Sequence, residues 1–223
     1  MYKVRFCFEK TGTAAYISHL DLLKSLQRSF VRAHLPVKYS QGFNPHIEMS
    51  ILVPLSTGYE SLCDLCDLEL TCDECPADFV SRLNAVLPQG MRVRWAGDAA
   101  RPVAQVQNCA YTITLPAGDV SAMEELFQKG PVLVEKRSKR GKKEVDVRDY
   151  IRAIAFETAG ERTLCRCTLA AGNDPLNPMY ITRALKDAGL VPRESAAAYV
   201  RTAILDENCR IFPLIVNSFR TDF

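Results

Sequence analysis

The stretch "KVRFCFEKTGTAAYISHLDLLKSLQRSF", Lys3 to Phe30, decides how the chain is read. Its first eight residues alternate polar and apolar, so Val4, Phe6 and Phe8 share one face of a β-strand. Its last thirteen change period. Ser18 and Asp21 form an S-x-x-D start signal, in which the serine accepts an early backbone N–H and the aspartate meets the positive helix end. Leu23, Leu26 or Gln27, Phe30 and Ala33 then recur at helical spacing and face a sheet. A strand followed by an amphipathic helix predicts an α+β fold.

Working outward, the first hundred residues read strand, helix, strand, strand, helix, strand. "HIEMSILVPL" and "SLCDLCDLELT" are strand-like, "CPADFVSRLNAVLP" is a short helix, and "GMRVRWAG" closes as a strand. From about Gln105 the order repeats through "NCAYTITLP", "SAMEELFQKG", a long hairpin arm in "PVLVEKRSKRGKKEVDVRDYI", "RTLCRCTLAAG", "PMYITRALKDAGL" and "AAYVRTAIL", with "RIFPLIV" as one more strand. Gly97 to Gln105 interrupts both periods and serves as the linker. The expectation is two ferredoxin-like βαββαβ units, residues 1–98 and 105–223, each an antiparallel sheet with helices packed on one face.

The 223 residues are 48% hydrophobic and 24% charged, ample for a core, and no apolar run is long enough for a membrane span. The N-terminus reads as a strand rather than an export signal. The nine cysteines are therefore expected as reduced thiols or metal ligands in the cytoplasm. A net charge of +2 means that any hold on nucleic acid must come from local clustering.

Such clusters exist. Lys24, Arg28 and Arg32 are spaced by four along the helix, and Lys38, Ser40, Gln41, Asn44 and His46 follow at once. The row is either a solvated face or a stripe facing phosphates. "YSQGFNPH" is a shaped loop: Gly42 permits positive φ, Asn44 can close a turn, and Pro45 fixes the exit. Phe43 at its tip either stacks on a base or tucks back onto the core. His19, Asp21 and His46 would form an acid–base group if the fold brought them together; no nucleophile pattern accompanies them, which favours binding over catalysis. Further on, Lys136, Arg137, Lys139, Arg140, Lys142 and Lys143 crowd around Gly141. They form either a solubilising loop or a contact for phosphates, and with the helix row they could border one basic groove.

"CDLCDLELTCDEC" places Cys63, Cys66, Cys72 and Cys75 as two C-x₂-C pairs, the pattern of a zinc site. The five-residue gap is short, and residues three apart on a strand point to opposite faces, so the first pair needs a bulge to converge. Zinc and idle thiols both remain open; no other cofactor is expected.

"YISHLDLLKSLQRSFVRAHLPVKYSQGFNPHIEMSILVPLSTGYES" closely resembles a bacterial domain of unknown function described as radical-SAM-associated. Its members stand alone or are fused behind a cobalamin-binding-type radical-SAM protein. The resemblance is specific over Arg5 to about Leu70, through the S-H-L-D helix start, the Arg28–Pro36 run and "SQGFNPH". "EKRSKRGKKEVDVRDYI" also fits its pattern. The resemblance implies a cytosolic bacterial accessory that works with a radical-SAM enzyme, or on the same substrate. It brings no reaction with it, and this chain has no CxxxCxxC cluster motif of its own. The functional expectation is an accessory that binds RNA or another polyanion. The alternatives are a protein–protein adaptor for the radical-SAM enzyme and a metal-independent endoribonuclease.

Overall fold

The structure, a computed structural model, describes residues 1–138, 141–212 and 218–220. It divides into two compact units at Val103/Ala104. The first runs β1 (Tyr2–Lys10), α1 (His19–Arg32), β2 (Met49–Leu52), β3 (Glu60–Leu70), α2 (Phe79–Asn84) and β4 (Met91–Asp98). The second runs β5 (Asn108–Pro116), α3 (Val120–Gln128), β6 (Leu133–Ser138), β7 (Gly141–Asp146), β8 (Ile151–Ala159), β9 (Arg162–Ala170), α4 (Met179–Asp187) and β10 (Ala198–Leu205). A last strand, β11 (Ser218–Arg220), pairs with β4 of the first unit and not with the second.

The class is α+β with antiparallel pairing. In the first unit the strands lie in the order β4-β1-β3-β2, and every neighbouring pair is antiparallel. In the second the order is β10-β5-β9-β8, again antiparallel throughout. Each order has one strand lying between two parallel strands joined through a helix, the geometry of a split βαβ unit.

The alternation of β1 is what anchors the first unit. Val4, Phe6 and Phe8 are fully buried in one cluster with Leu22, Leu26 and Phe30 of α1 and Phe79, Val80 and Leu83 of α2. Both helices therefore cover the same sheet face. Phe6 sits at the centre, 5.9 Å edge-on from Phe30 and 5.7 Å from Phe79 between ring centroids. The helix buries Leu22 more deeply than Leu23, one position from the expected stripe. The opposite face of β1 and β3 holds a buried ion pair. Arg5 Nε and Nη2 donate to the two carboxylate oxygens of Asp67, at 2.6 and 2.9 Å, and Nη1 donates to the Arg101 carbonyl at 2.7 Å.

In the second unit β5 alternates cleanly, burying Cys109, Tyr111, Ile113 and Leu115. The arm is a hairpin, β6 against β7, closed from Leu133↔Asp146 to Ser138↔Gly141. Lys139 and Arg140 lie outside the described residues, as does the Arg137 side chain. Strand β8 carries no period-two apolar pattern in the sequence. It pairs only with β9 in this unit's order and buries Phe156, which stacks on Phe127 of α3 at 5.9 Å.

Candidate nucleic-acid interface

Helix α1 starts as its sequence dictates. Ser18 Oγ accepts the Asp21 N–H at 3.2 Å and donates its own proton to the Asp21 carboxylate at 2.7 Å. His19 and Asp21 are exposed at this end. The helix stops at Arg32 because His34 takes a positive φ of 50° and Leu35 turns its N–H back to the Phe30 carbonyl, 3.1 Å away. The chain then leaves through Pro36 toward the loop.

The loop is closed at its neck. Tyr39 and Ile47 form an antiparallel bridge, and Ser40 N–H donates to the His46 carbonyl at 2.8 Å. Ser40 Oγ accepts the His46 backbone N–H at 3.1 Å and lies 2.9 Å from His46 Nδ1. Gly42, at φ 129°, has open space around it, so backbone conformation rather than crowding requires glycine. Lys38 anchors the stem below: its ammonium lies 2.7 Å from both the Glu48 and the Glu69 carboxylates. Its contact holds the Glu69 carboxyl below the usual range.

Between this loop and the second half of α1 lies a cleft of about 520 Å³, lined by Gln27, Arg28, Val31, Arg32, Tyr39, Pro45, His46 and Ile47. The structure thus brings the later part of the helix row together with His46. Arg28 and Lys24 are exposed and make no ion pair among the described residues. Arg32 lines the cleft while its guanidinium donates to Ser29 Oγ at 3.2 Å and to the Val86 carbonyl at 2.9 Å. Phe43 stands fully exposed at the loop tip rather than on the core, with Gln41 and Asn44 exposed beside it. Tyr39 and Val31, which sequence reasoning passed over, add apolar wall. The tyrosine's place at the loop neck, opposite Ile47, was the available signal.

Other candidates are not gathered there. His19 lies nine residues before Arg28, about 13 Å along the helix, and does not line the cleft, so it is not joined to His46. In the arm, Lys136 is committed inward: its ammonium pairs with Asp174 and sits 4.4 Å from the centroid of the Tyr150 ring. Tyr150 donates to the same carboxylate at 2.7 Å; Lys136 and then Tyr150 hold Asp174 low, and the bond to Asp174 pushes the Tyr150 hydroxyl up to about 12. Lys142 pairs with Glu135 at 3.0 Å, and Lys143 is exposed. The hairpin register sets Lys136 opposite Lys143 and Arg137 opposite Lys142.

The four cysteines do not converge. Cys66 and Cys75 are buried in the core cluster and Cys72 packs against it, whereas Cys63 lies outside. Strand β3 does carry an irregularity between Ser61 and Asp64, yet it leaves Cys63 out of the cluster. Burial raises the Cys66 thiol far above its ordinary range and the Cys75 thiol to about 11, the latter with a contribution from Cys72. Among the described residues no group of three or more His, Cys, Asp or Glu side chains has a metal-holding arrangement. Nor is any helix of the described residues long and apolar enough to cross a membrane.

Residues 3–178 match a family described as an uncharacterized protein conserved in bacteria (DUF2344). No curated protein matches the chain. One chain in the crystal structure of a Cbf5-Nop10-Gar1 complex is similar over 89% of this chain and 49% of its own length, at 12% identity and a TM-score of 0.47. This chain thus spans about half the length of that one. An unknown protein from Galdieria sulphuraria is similar over 90% of this chain and 98% of its own, at 10% identity and a TM-score of 0.27. Similarity this low leaves both outside the functional argument.

Proposed function

The chain belongs to the DUF2344 family of uncharacterized bacterial proteins, and from the chemistry of its cleft we propose that it binds single-stranded RNA as an accessory to a radical-SAM enzyme. One observation carries the RNA part: a cleft of about 520 Å³ lined by His46 and by Arg28, which makes no ion pair among the described residues, beside a fully exposed Phe43. A phosphate needs a cation that is not already neutralised from within, and Arg28 is one. A base needs an accessible aromatic face, and Phe43 offers it without sequence preference. Lys24 extends the charge one turn along the helix. In the arm, Lys136 and Lys142 are already met by Asp174 and Glu135, so a second phosphate contact there falls to the exposed Lys143. The radical-SAM association rests on the resemblance of residues Arg5 to Leu70 alone.

The test is anisotropy of a fluorescein-labelled single-stranded RNA against the full chain at several salt concentrations. Arg28→Glu and Phe43→Ala are each expected to weaken binding about tenfold, and Arg28→Glu also to flatten the salt dependence. Unchanged affinity in both variants would remove the proposal. A second reading has its own observation: Tyr16, Leu20, Val31 and Phe43 are all exposed apolar side chains on or near this helix. If the chain binds no RNA but Phe43→Ala abolishes its co-purification with a radical-SAM enzyme, the loop is a protein-docking element.

A further inference from the structure

The polar groups along the cleft beside α1 differ in how far the fold has already used them. Arg32 is spent on Ser29 Oγ and the Val86 carbonyl. His46 is held through Nδ1, 2.9 Å from Ser40 Oγ. Gln27, half-buried in the same lining, has neither its amide nitrogen nor its oxygen bonded to any described residue. A carboxamide offers two donors and an acceptor oxygen, and this one keeps them all for a ligand.

Its surroundings decide what can meet them. Gln27 and Val31 stand one turn apart on the same side of α1. Across the cleft stand Tyr39, Pro45 and Ile47, and the bridge at the loop neck fixes Tyr39 opposite Ile47. Val31 and Tyr39 are 52% and 46% exposed, so a ligand can reach both walls. A bare anion gains nothing from two apolar walls. A flat ring buries its faces against them and turns its edge to the carboxamide. Arg28, the next residue along the helix, lines the same cleft and can take the phosphate of that nucleotide.

Granted the RNA site proposed above, on which this rests, we infer that Gln27 is its specificity-determining residue and that the base it selects is adenine. A carboxamide set edge-on to adenine accepts from the exocyclic amino group and donates to ring nitrogen N7, a two-bond match. On that edge guanine presents two acceptors, and cytosine and uracil one polar group each, so adenine alone offers a donor beside an acceptor. Phe43 at the loop tip stacks on any base and adds affinity without preference.

Fluorescein-labelled oligoadenylate, oligocytidylate and oligouridylate of equal length, titrated with the full chain at one salt concentration, test this. Oligoadenylate is expected to bind about tenfold tighter than the other two, and to lose that advantage when 7-deazaadenosine, which lacks the N7 acceptor, replaces adenosine. Gln27→Ala, which keeps a good helix former at that position, is expected to weaken oligoadenylate about tenfold and to leave the other two within about twofold. Phe43→Ala is expected to weaken all three alike. Equal binding of the three by the wild type, or a Gln27→Ala variant that keeps the preference, would overturn the role of Gln27 and leave the RNA site standing. No binding of any of the three would remove both.

Discussion

Arg32 and Arg82 cap each other's helices. Arg32, the last residue of α1, donates to the Val86 carbonyl just beyond α2, at 2.9 Å. Arg82, on α2, donates to the Ala33 carbonyl at 2.9 Å and to the His34 carbonyl, both just beyond α1. Two helix C-termini, each with unsatisfied carbonyls and a partial negative charge, are thus closed by the other's cation.

Replacing Arg82 by alanine is expected to cost about 1–2 kcal/mol, since it frees two carbonyls and a helix-end charge interaction. Arg32→Ala, which frees one carbonyl, is expected to cost less. Urea midpoints at constant slope measure both; a larger loss from Arg32→Ala would mean that Arg32 holds more than this cap.

The Arg5–Asp67 pair is buried on both sides, with side-chain exposures of 2% and 4%. Asp67→Asn strands a guanidinium that still needs neutralising, and is expected to cost about 3–5 kcal/mol. Replacing both residues by apolar ones of similar size is expected to cost much less. Denaturation of both single variants and the double one decides it, and a double-variant loss equal to the sum of the single losses would show that the pair is not acting as a unit.

The loop stem depends on pH through Glu69. Lys38 depresses its folded-state pKa, so the stabilisation is present above the unfolded carboxylate value, about 4.3, and is lost as pH falls through the lower folded value. The amides of Lys38 and Glu69 are therefore expected to lose hydrogen-exchange protection, relative to the core, as pH drops from about 5 toward 3. Glu69→Gln is expected to abolish that dependence. A wild-type profile identical to the variant's would show that Lys38 does not hold the stem.

Thiol reactivity tests the cysteine placement. Cys209 is exposed and Cys72 half-buried, whereas burial raises the Cys66 thiol and a hydrogen bond with Cys167, then burial, raises that of Cys165. Iodoacetamide at about pH 8 should label Cys209 first and Cys72 next, and reach Cys66 and Cys165 only after unfolding. Rapid labelling of Cys66 in the native chain would mean that it is not in the core, and would reopen a four-thiolate zinc site.

The sequence by itself determined the elements whose faces differ sharply in polarity. The period-two run from Lys3 to Lys10 and the Ser18/Asp21 helix start were legible because burial and capping are local consequences of residue order. Strand β8 was not legible, because a strand at the end of its unit's order, burying little, carries no alternation to read. Two C-x₂-C pairs left zinc and idle thiols both open, because spacing along the chain says nothing about which thiols a sheet turns inward. The same holds for the cations. Lys24, Arg28, Arg32 and Lys38 are equivalent as a row of positive charges. Only the tertiary structure assigned Arg32 to a carbonyl on α2 and Lys38 to two carboxylates, and left Lys24 and Arg28 without a partner among the described residues. A charge is available to a ligand only if the fold has not already neutralised it, and its neutralising partners come from segments far away in sequence.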